Sequence, residues 1–422
     1  MQSVEFPYGE GFVTLTLAHD ADVLLPRSIP AVADELAAMR EALSKPIGSP
    51  RLRELARGKT TVAVVINDIT RPSPTEAMLT VIVEELAAAG VAQDQINVIV
   101  ATGNHLPPTE EELRKMMGGW RSQLKLTAHD CHDKNSLAYM GKTKRGMPVH
   151  VNKVYAAAAL KILTGVIAPH QSAGFGGGRK AVVPGIAGLE TLRTHHSFPI
   201  RPAGPILGIL ENNTFHQEAV AGARQAGVDF ILNVVKNHRG QVVQAVAGDL
   251  EAAHLHGVAV CEQSWVQKFT KAYDIVFVSP GRYPKDIDLH QAQKGVAVAE
   301  QITKPGGIIV LIAECRNGIG KFGKVLKNAD SVDTVIREFY EQGFTPDQNS
   351  KAYMFARCCK NHRLWVVASG IAPAELSEMF MTGFTSLPEA ADAALRSYDH
   401  PSILCVPYAG DCIPVLTAGV SA

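Results

Sequence analysis

No apolar run in this chain approaches the roughly 20 residues a helix needs to cross a bilayer. The opening MQSVEFPYGEGFVTLTL carries no basic segment ahead of an apolar core. Membrane insertion and secretion by such a leader are not expected, and the cytoplasm is the expected compartment. Net charge is missing as well: 41 basic residues offset 41 acidic ones. No global field therefore draws the chain to nucleic acid or an anionic membrane, and a small molecule is the expected partner. Cysteine is sparse, seven in 422 residues without regular spacing, which points to reduced thiols rather than a disulfide framework. The cluster HDCHD (His129, Cys131, His132) is too tightly spaced for structural zinc and reads as a surface loop. Fixed-period repeats and low-complexity tracts are absent.

Two standard nucleotide loops are missing too, although one stretch invites them. PHQSAGFGGGRKAVVPGIAG, residues 169–188, sets His170, Gly176, Gly177, Gly178 and Lys180 close together. Backbone N–H groups in such a turn can approach an anion closely. Counting from Gly174, however, Arg179 stands where a P-loop has its second glycine, and Ala181 replaces its Ser or Thr. The dinucleotide fingerprint fails at the same Arg179. This segment serves another chemistry.

What is present is a series of short runs rich in Val and Ile. TTVAVVIN (60–67), INVIVATG (96–103), LKILTGVIA (160–168), FILNVV (230–235), YDIVFVSPG (273–281), GGIIVLIAE (306–314), RLWVVASG (363–370) and SILCVPY (402–408) mostly lack alternation. Strands covered on both faces read this way. Helical stretches separate them, which predicts an α/β protein of two domains, each with a mainly parallel sheet flanked by helices. Ser73, Pro74 and Glu76 read as a capping box with proline at the first helical position, closed by Gly90; Thr109 with Glu112 reads as a second box. The expected domains are 1–265 and 270–422, joined through CEQSWVQKFTKAYD (261–274).

Polar stretches follow four of the runs: NDITRPSP, TGNHLPPT, the glycine–lysine segment, and GRYPKDIDLHQAQK. Ligands of open α/β sheets bind outside the carboxyl ends of strands. Asp68, Arg71, His105, His170 and Lys180 are therefore expected to converge on one crevice, with Gln291 and Lys294 reaching it from the second domain. Taken singly, each has a plain structural reading: a turn residue, a solvated charge, or, for Gln291 after Asp288, part of a helix cap.

Taken together, DITRP, ATGNH, PHQSAGFGGGRKAVVPG, HHS (195–197) and HQAQK resemble the nickel-dependent lactate racemase family, in order and across both domains. The resemblance implies an active site in the interdomain cleft and a covalent thioamide between Lys180 and a pyridinium-3,5-bisthiocarboxylic acid mononucleotide that holds nickel as a pincer. His196 would be the protein ligand completing a nearly square-planar centre, with His195 a competitor; His196 is preferred because it directly precedes Ser197. Asp68, Ile69, Thr70, Arg71 and Pro184 would contact the nucleotide, whose bulk the glycines would admit. His105 and His170 would be the acid–base pair, and Arg71, Gln291 and Lys294 would hold the substrate carboxylate. The implied reaction inverts C2 of a 2-hydroxy acid by reversible hydride transfer through a 2-keto acid, and cofactor-biosynthesis proteins are implied partners. Imidazoles suit the proton transfers because they accept and donate near neutrality.

Two positions depart from the family pattern. His290 stands where an aromatic hydroxyl precedes the glutamine, and KAYMFARCC offers Met354 and Phe355 where a pocket tryptophan is expected. These changes leave the cofactor residues in place and widen the expected substrates from lactate to include malate, an aromatic acid or a sugar acid such as gluconate. The rival readings are an NAD-dependent 2-hydroxyacid oxidoreductase, weakened by the broken fingerprint, and a non-catalytic nickel-nucleotide-binding protein, which the His105/His170 pair argues against.

Overall fold

The computed structural model describes residues 1–345 and 349–417. It divides into two compact units, Ser28–Ser264 and Trp265–Ala422 with Met1–Arg27. All eight apolar runs are strands. No helix among the described residues is long and apolar enough to cross a membrane. The seven cysteines are free thiols.

Ser28–Ser264 is built on a six-stranded sheet in the order Val242–Gly248, Phe230–Lys236, Leu160–Ile167, Val62–Asn67, Ile96–Ala101, Lys125–Thr127. Every pairing is parallel except that of the first two strands. Two cores explain the unbroken apolar runs. Along one strand Val62, Val64 and Ile66 face a cluster that includes Met78, Leu79 and Ile82 of helix Thr75–Ala88. Ala63 and Val65 face the opposite cluster, with Ala219 and Ala223 of helix Thr214–Ala226. With helices on both faces, neither side of the strand can be polar.

The other unit carries a six-stranded, wholly parallel sheet: Thr382–Phe384, Arg363–Val367, Thr303–Ile312, Tyr273–Val278, Ile403–Val406, Asp22–Val23. The first 27 residues belong here rather than with the domain expected to begin at residue 1. Asp22–Val23 is this sheet's edge strand. The alternating buried residues of the hairpin Gln2–Tyr8/Gly11–Leu17, Val4, Phe6, Leu15 and Leu17, join the core of Ile275, Phe277 and Val310. Buried Asp286 ties the hairpin down by accepting from Gly9 N at 2.6 Å and Glu314 N at 3.1 Å. The expected connection at 261–274 is regular structure instead, the end of helix Ala252–Trp265 followed by strand Val266–Phe269.

The Thr109–Glu112 capping box forms. The one at Ser73 does not: the helix starts at Thr75 with Pro74 as its N-cap, the Ser73 hydroxyl bonds Thr75 Oγ1 at 2.8 Å, and Glu76 accepts from Gly119 N instead. Gly90 closes that helix in the left-handed region, at φ +84°.

Candidate active site

Three adjacent strands of the Ser28–Ser264 sheet deliver Asp68–Arg71, Thr102–His105 and Pro169–Lys180 from their carboxyl ends. The strand leading to Asp68 lies between those leading to His105 and His170, so the two histidine loops leave strands ~10 Å apart, twice the interstrand spacing.

On one side, His105 and Asp68 form a dyad. His105 Nδ1 lies 2.6 Å from Asp68 Oδ2. Thr70 donates its hydroxyl to Asp68 Oδ1 at 2.7 Å and its N–H at 3.2 Å. Burial works against the Asp68 carboxylate, but the bonds from His105 and Thr70, with the charges of His105 and Arg71, win and hold its pKa below the usual range. An ionised carboxylate accepts only, so Nδ1 carries the proton and the lone pair of the neutral ring sits on Nε2. Asp68, expected to contact a nucleotide, is thus bonded to both His105 and Thr70. Arg71, exposed, donates to the Thr70 carbonyl at 3.0 Å and hydroxyl at 3.3 Å.

On the other side, the glycine segment folds back on itself. Pro169–His170 pairs with Gly174–Phe175, and Gly178–Ala181 forms a tight turn. Gly174 (φ +69°) and Gly177 (φ +76°) are left-handed, and a Cβ there would lie 2.3 Å from Ile209 O and 2.7 Å from Asn233 Oδ1. The protein's own packing thus demands these glycines. His170 Nδ1 accepts from Ser172 N at 3.2 Å and Ala173 N at 3.1 Å, and its Nε2 lies 3.4 Å from Lys180 Nζ. Burial first, then the charges of Lys180 and Arg71, pushes His170 well below its ordinary pKa. Burial first, then Arg71 and Arg179, does the same to Lys180. The Pro184 loop adjoins the His105 loop through Gly103 N donating to Gly185 O at 2.8 Å.

The neighbouring histidines differ in what they offer a metal. Buried His195 has its Nε2 2.8 Å from the Phe215 carbonyl, a bond that must use the N–H. Partly buried His196 points Nδ1 at the Leu192 carbonyl, 3.1 Å away, so its lone pair is on Nε2. Among the described residues no three His, Cys, Asp or Glu side chains cluster as a metal site.

Gln291 and Lys294 belong to the other unit, one turn apart on helix Leu289–Ala299, where Lys294 Nζ donates to Gln291 Oε1 at 2.9 Å. Gln291 N also caps on Asp288 at 2.7 Å. Met354 and Phe355 are buried, and Phe355 stacks on Phe322 with centroids 4.9 Å apart.

HDCHD is a loop with Asp130, His132 and Asp133 exposed at the surface, while His129 and Cys131 are buried beneath it. His129 accepts at its carbonyl from Thr102 Oγ1 at 3.1 Å, and its ring reaches Ala187 O at 3.2 Å, bracing the His105 loop from below. The sequence also gave no sign of His254, on a helix with no local motif, whose Nε2 lies 2.7 Å from Arg179 Nη1.

Burial depresses the pKa of His129 to about 4, His195 to about 3 and His216 to about 4. All three stay neutral in the fold, whereas the unfolded chain binds their protons near pH ~6.5. Their contribution to stability is complete above that value and is lost as pH falls toward 4. The urea midpoint is expected to be lower at about pH 5 than at about pH 7.5, with protons taken up on unfolding; equal midpoints contradict this.

The lactate racemase N-terminal domain matches residues 8–204 and the lactate racemase C-terminal domain residues 268–415. A lactate racemase of Thermoanaerobacterium thermosaccharolyticum is 32% identical over 406 residues, covering 93% of this chain and 94% of the relative. One of Lactiplantibacillus plantarum is 34% identical over 411 residues, covering 93% and 95%. The solved lactate racemase apoprotein of the former organism matches at TM-score 0.90 and 29% identity, over 98% of this chain and 100% of that one. A Thermotoga maritima protein shares the fold at TM-score 0.66 and 18% identity, over 90% and 98%. With both domains of one family in order and the likeness running almost end to end, the chain belongs to the lactate racemase family and is an isomerase of the racemase kind.

Proposed function

We propose that this chain inverts C2 of a short 2-hydroxy acid, lactate being the first to test because both relatives are lactate racemases, and that it does so with nickel in a pincer pyridinium mononucleotide attached at Lys180. The observation that carries this reading is the pairing of a carboxylate-backed imidazole, His105, with the His170–Lys180 contact across one strand. The chain's donors fit the group: a half-buried amine at Lys180 and an imidazole lone pair on Nε2 of His196 are what a metal carried by a tethered ligand asks of the protein. Asp68 to Arg71 and Pro184 would flank the nucleotide. When bound, the group would supply an electron-poor, hydride-accepting centre, held by Lys180 and His196.

The protein's own task is proton handling. His105 Nε2 takes the substrate hydroxyl proton, and Asp68, bonded to Nδ1–H, orients the ring and stabilises its charge. The resulting 2-keto acid is planar, so a turned carbonyl oxygen needs a partner on the other side, and His170 provides it. Arg71 would serve the carboxylate as a fork, and Lys294, beside Gln291 on its helix, would offer a point charge.

Chiral chromatography of a 2-hydroxy-acid panel, with protein from a host that makes the cofactor, tests the reading. Inversion of lactate is expected. Because His290 and the buried Met354–Phe355 pair replace residues of the family pattern, malate, phenyllactate and gluconate belong in the panel. Net 2-keto acid coupled to NAD reduction would overturn the proposal in favour of a dehydrogenase; no inversion by cofactor-bearing protein would leave a binding protein.

A further inference from the structure

Arg179 is 1% exposed and its hydrogen bonds run to main-chain carbonyls and an imidazole. Nη2 donates to Ala173 O at 2.8 Å, and Nη1 to Gly176 O at 3.3 Å and Gly177 O at 3.4 Å. His254 Nε2 sits 2.7 Å from Nη1 and 2.8 Å from Gly176 O. A buried guanidinium without a carboxylate partner among the described residues is costly, and burial pushes its pKa down to about 9.

Its bonds lead to a proton. The Ala173 carbonyl accepts from Arg179, while the Ala173 N–H, with that of Ser172, points at His170 Nδ1. A ring nitrogen accepting two N–H groups carries no hydrogen, so the neutral imidazole must carry its one on Nε2. The partner of that Nε2–H is Lys180 Nζ, 3.4 Å away. An ammonium has no lone pair to accept it; an amine has one.

The surroundings agree. The titratable or charged groups reaching Lys180 are His170, Arg71, Arg179, His195 and His196, all bases or cations. No carboxylate forms an ion pair with Lys180 among the described residues. The Phe215 ring favours a cation, but at 5.9 Å it stands at the ~6 Å limit of that attraction.

We propose that Arg179 is a positioning residue: through residue Ala173, whose carbonyl it fixes and whose N–H meets His170 Nδ1, it holds His170 as the Nε2–H tautomer, which donates to Lys180 Nζ and presents the unmodified lysine as a neutral amine, ready for an electrophilic carbon. The proposal concerns the bare protein, so it stands or falls separately from the reaction assigned above.

The test uses full-length protein from a host without the cofactor, with isotope-labelled histidine and lysine, read by NMR at about pH 7.5, some three units below an ordinary lysine pKa. Signals are assigned by their loss in His170→Gln and Lys180→Ala. His170 is expected to be protonated on Nε2 only, and Lys180 to resonate as an amine. Limiting acetic anhydride, followed by peptide mass spectrometry, should acylate Lys180 ahead of exposed Lys144. Arg179→Met should mix the His170 tautomers and lower the Lys180:Lys144 acylation ratio by about tenfold or more, the equivalent of one pKa unit, with partial rescue in Arg179→Lys. Should Arg179→Met not fold, His254→Gln is expected to move both readouts in the same direction by less. An ammonium at Lys180, an Nδ1–H tautomer at His170, or unchanged readouts in the folded variants overturns the proposal.

Discussion

Protein bearing Lys180→Ala, made in a host that produces the pincer nucleotide, is expected to have the mass of its bare sequence, and the unaltered chain is expected to be heavier by a sulfur-containing mononucleotide. Racemisation should be lost with the added mass. Lys180 is singled out by its setting: burial and the guanidinium groups of Arg71 and Arg179 drive it toward the amine, the form of a lysine that has a lone pair to attack an acyl-type carbon. Lys180→Arg keeps a long basic side chain but offers a guanidinium that stays protonated, so it should also remain at sequence mass. An unaltered chain at sequence mass from such a host, or an adduct surviving in Lys180→Ala, contradicts the assignment.

The second large effect is expected at the dyad. Replacing His105 by Gln removes a positioned base and should lower kcat by ~10²–10⁴-fold. Asp68→Asn should approach the same loss while leaving the ring in place. An amide NH₂ turned toward Nδ1 makes that nitrogen accept, which moves the hydrogen to Nε2 and blocks proton uptake where substrate would sit. The double variant should be little worse than either single one, because the two groups act as a unit. Steady-state kinetics from each enantiomer provide a check. Enantiomers have equal free energy, so kcat/KM must fall by the same factor in both directions. A loss at Asp68 that adds fully to that at His105 would show that the carboxylate acts elsewhere.

The eight strands were legible because a strand covered on both faces needs a continuous apolar run, and that run is a local property. Placement of Asp68, His105, His170 and Lys180 at strand ends followed from the same pattern, with the α/β rule for ligand crevices. Local patterns misled where a distant segment competed. Ser73 had the composition of a cap, but Thr75 takes its hydroxyl and Gly119 takes Glu76. HDCHD read as a surface loop because its spacing does not suit zinc, yet inside it His129 is buried and bonded to Thr102 and Ala187. The glycines suggested room for a ligand, whereas Ile209 and Asn233 crowd Gly174 and Gly177.

The amino-acid order by itself determined which reactive groups stand at the ends of which strands, and that a lysine follows a glycine-rich turn. Only the tertiary structure decided what those groups are bonded to: His105 Nδ1 to Asp68, 37 residues earlier, His195 to a carbonyl 20 residues away, and Arg179 to His254, 75 residues on. The physical reason is that apolar periodicity is set by neighbours along the chain, whereas protonation, tautomer and lone-pair direction are set by burial and by donors and acceptors that folding brings in from afar.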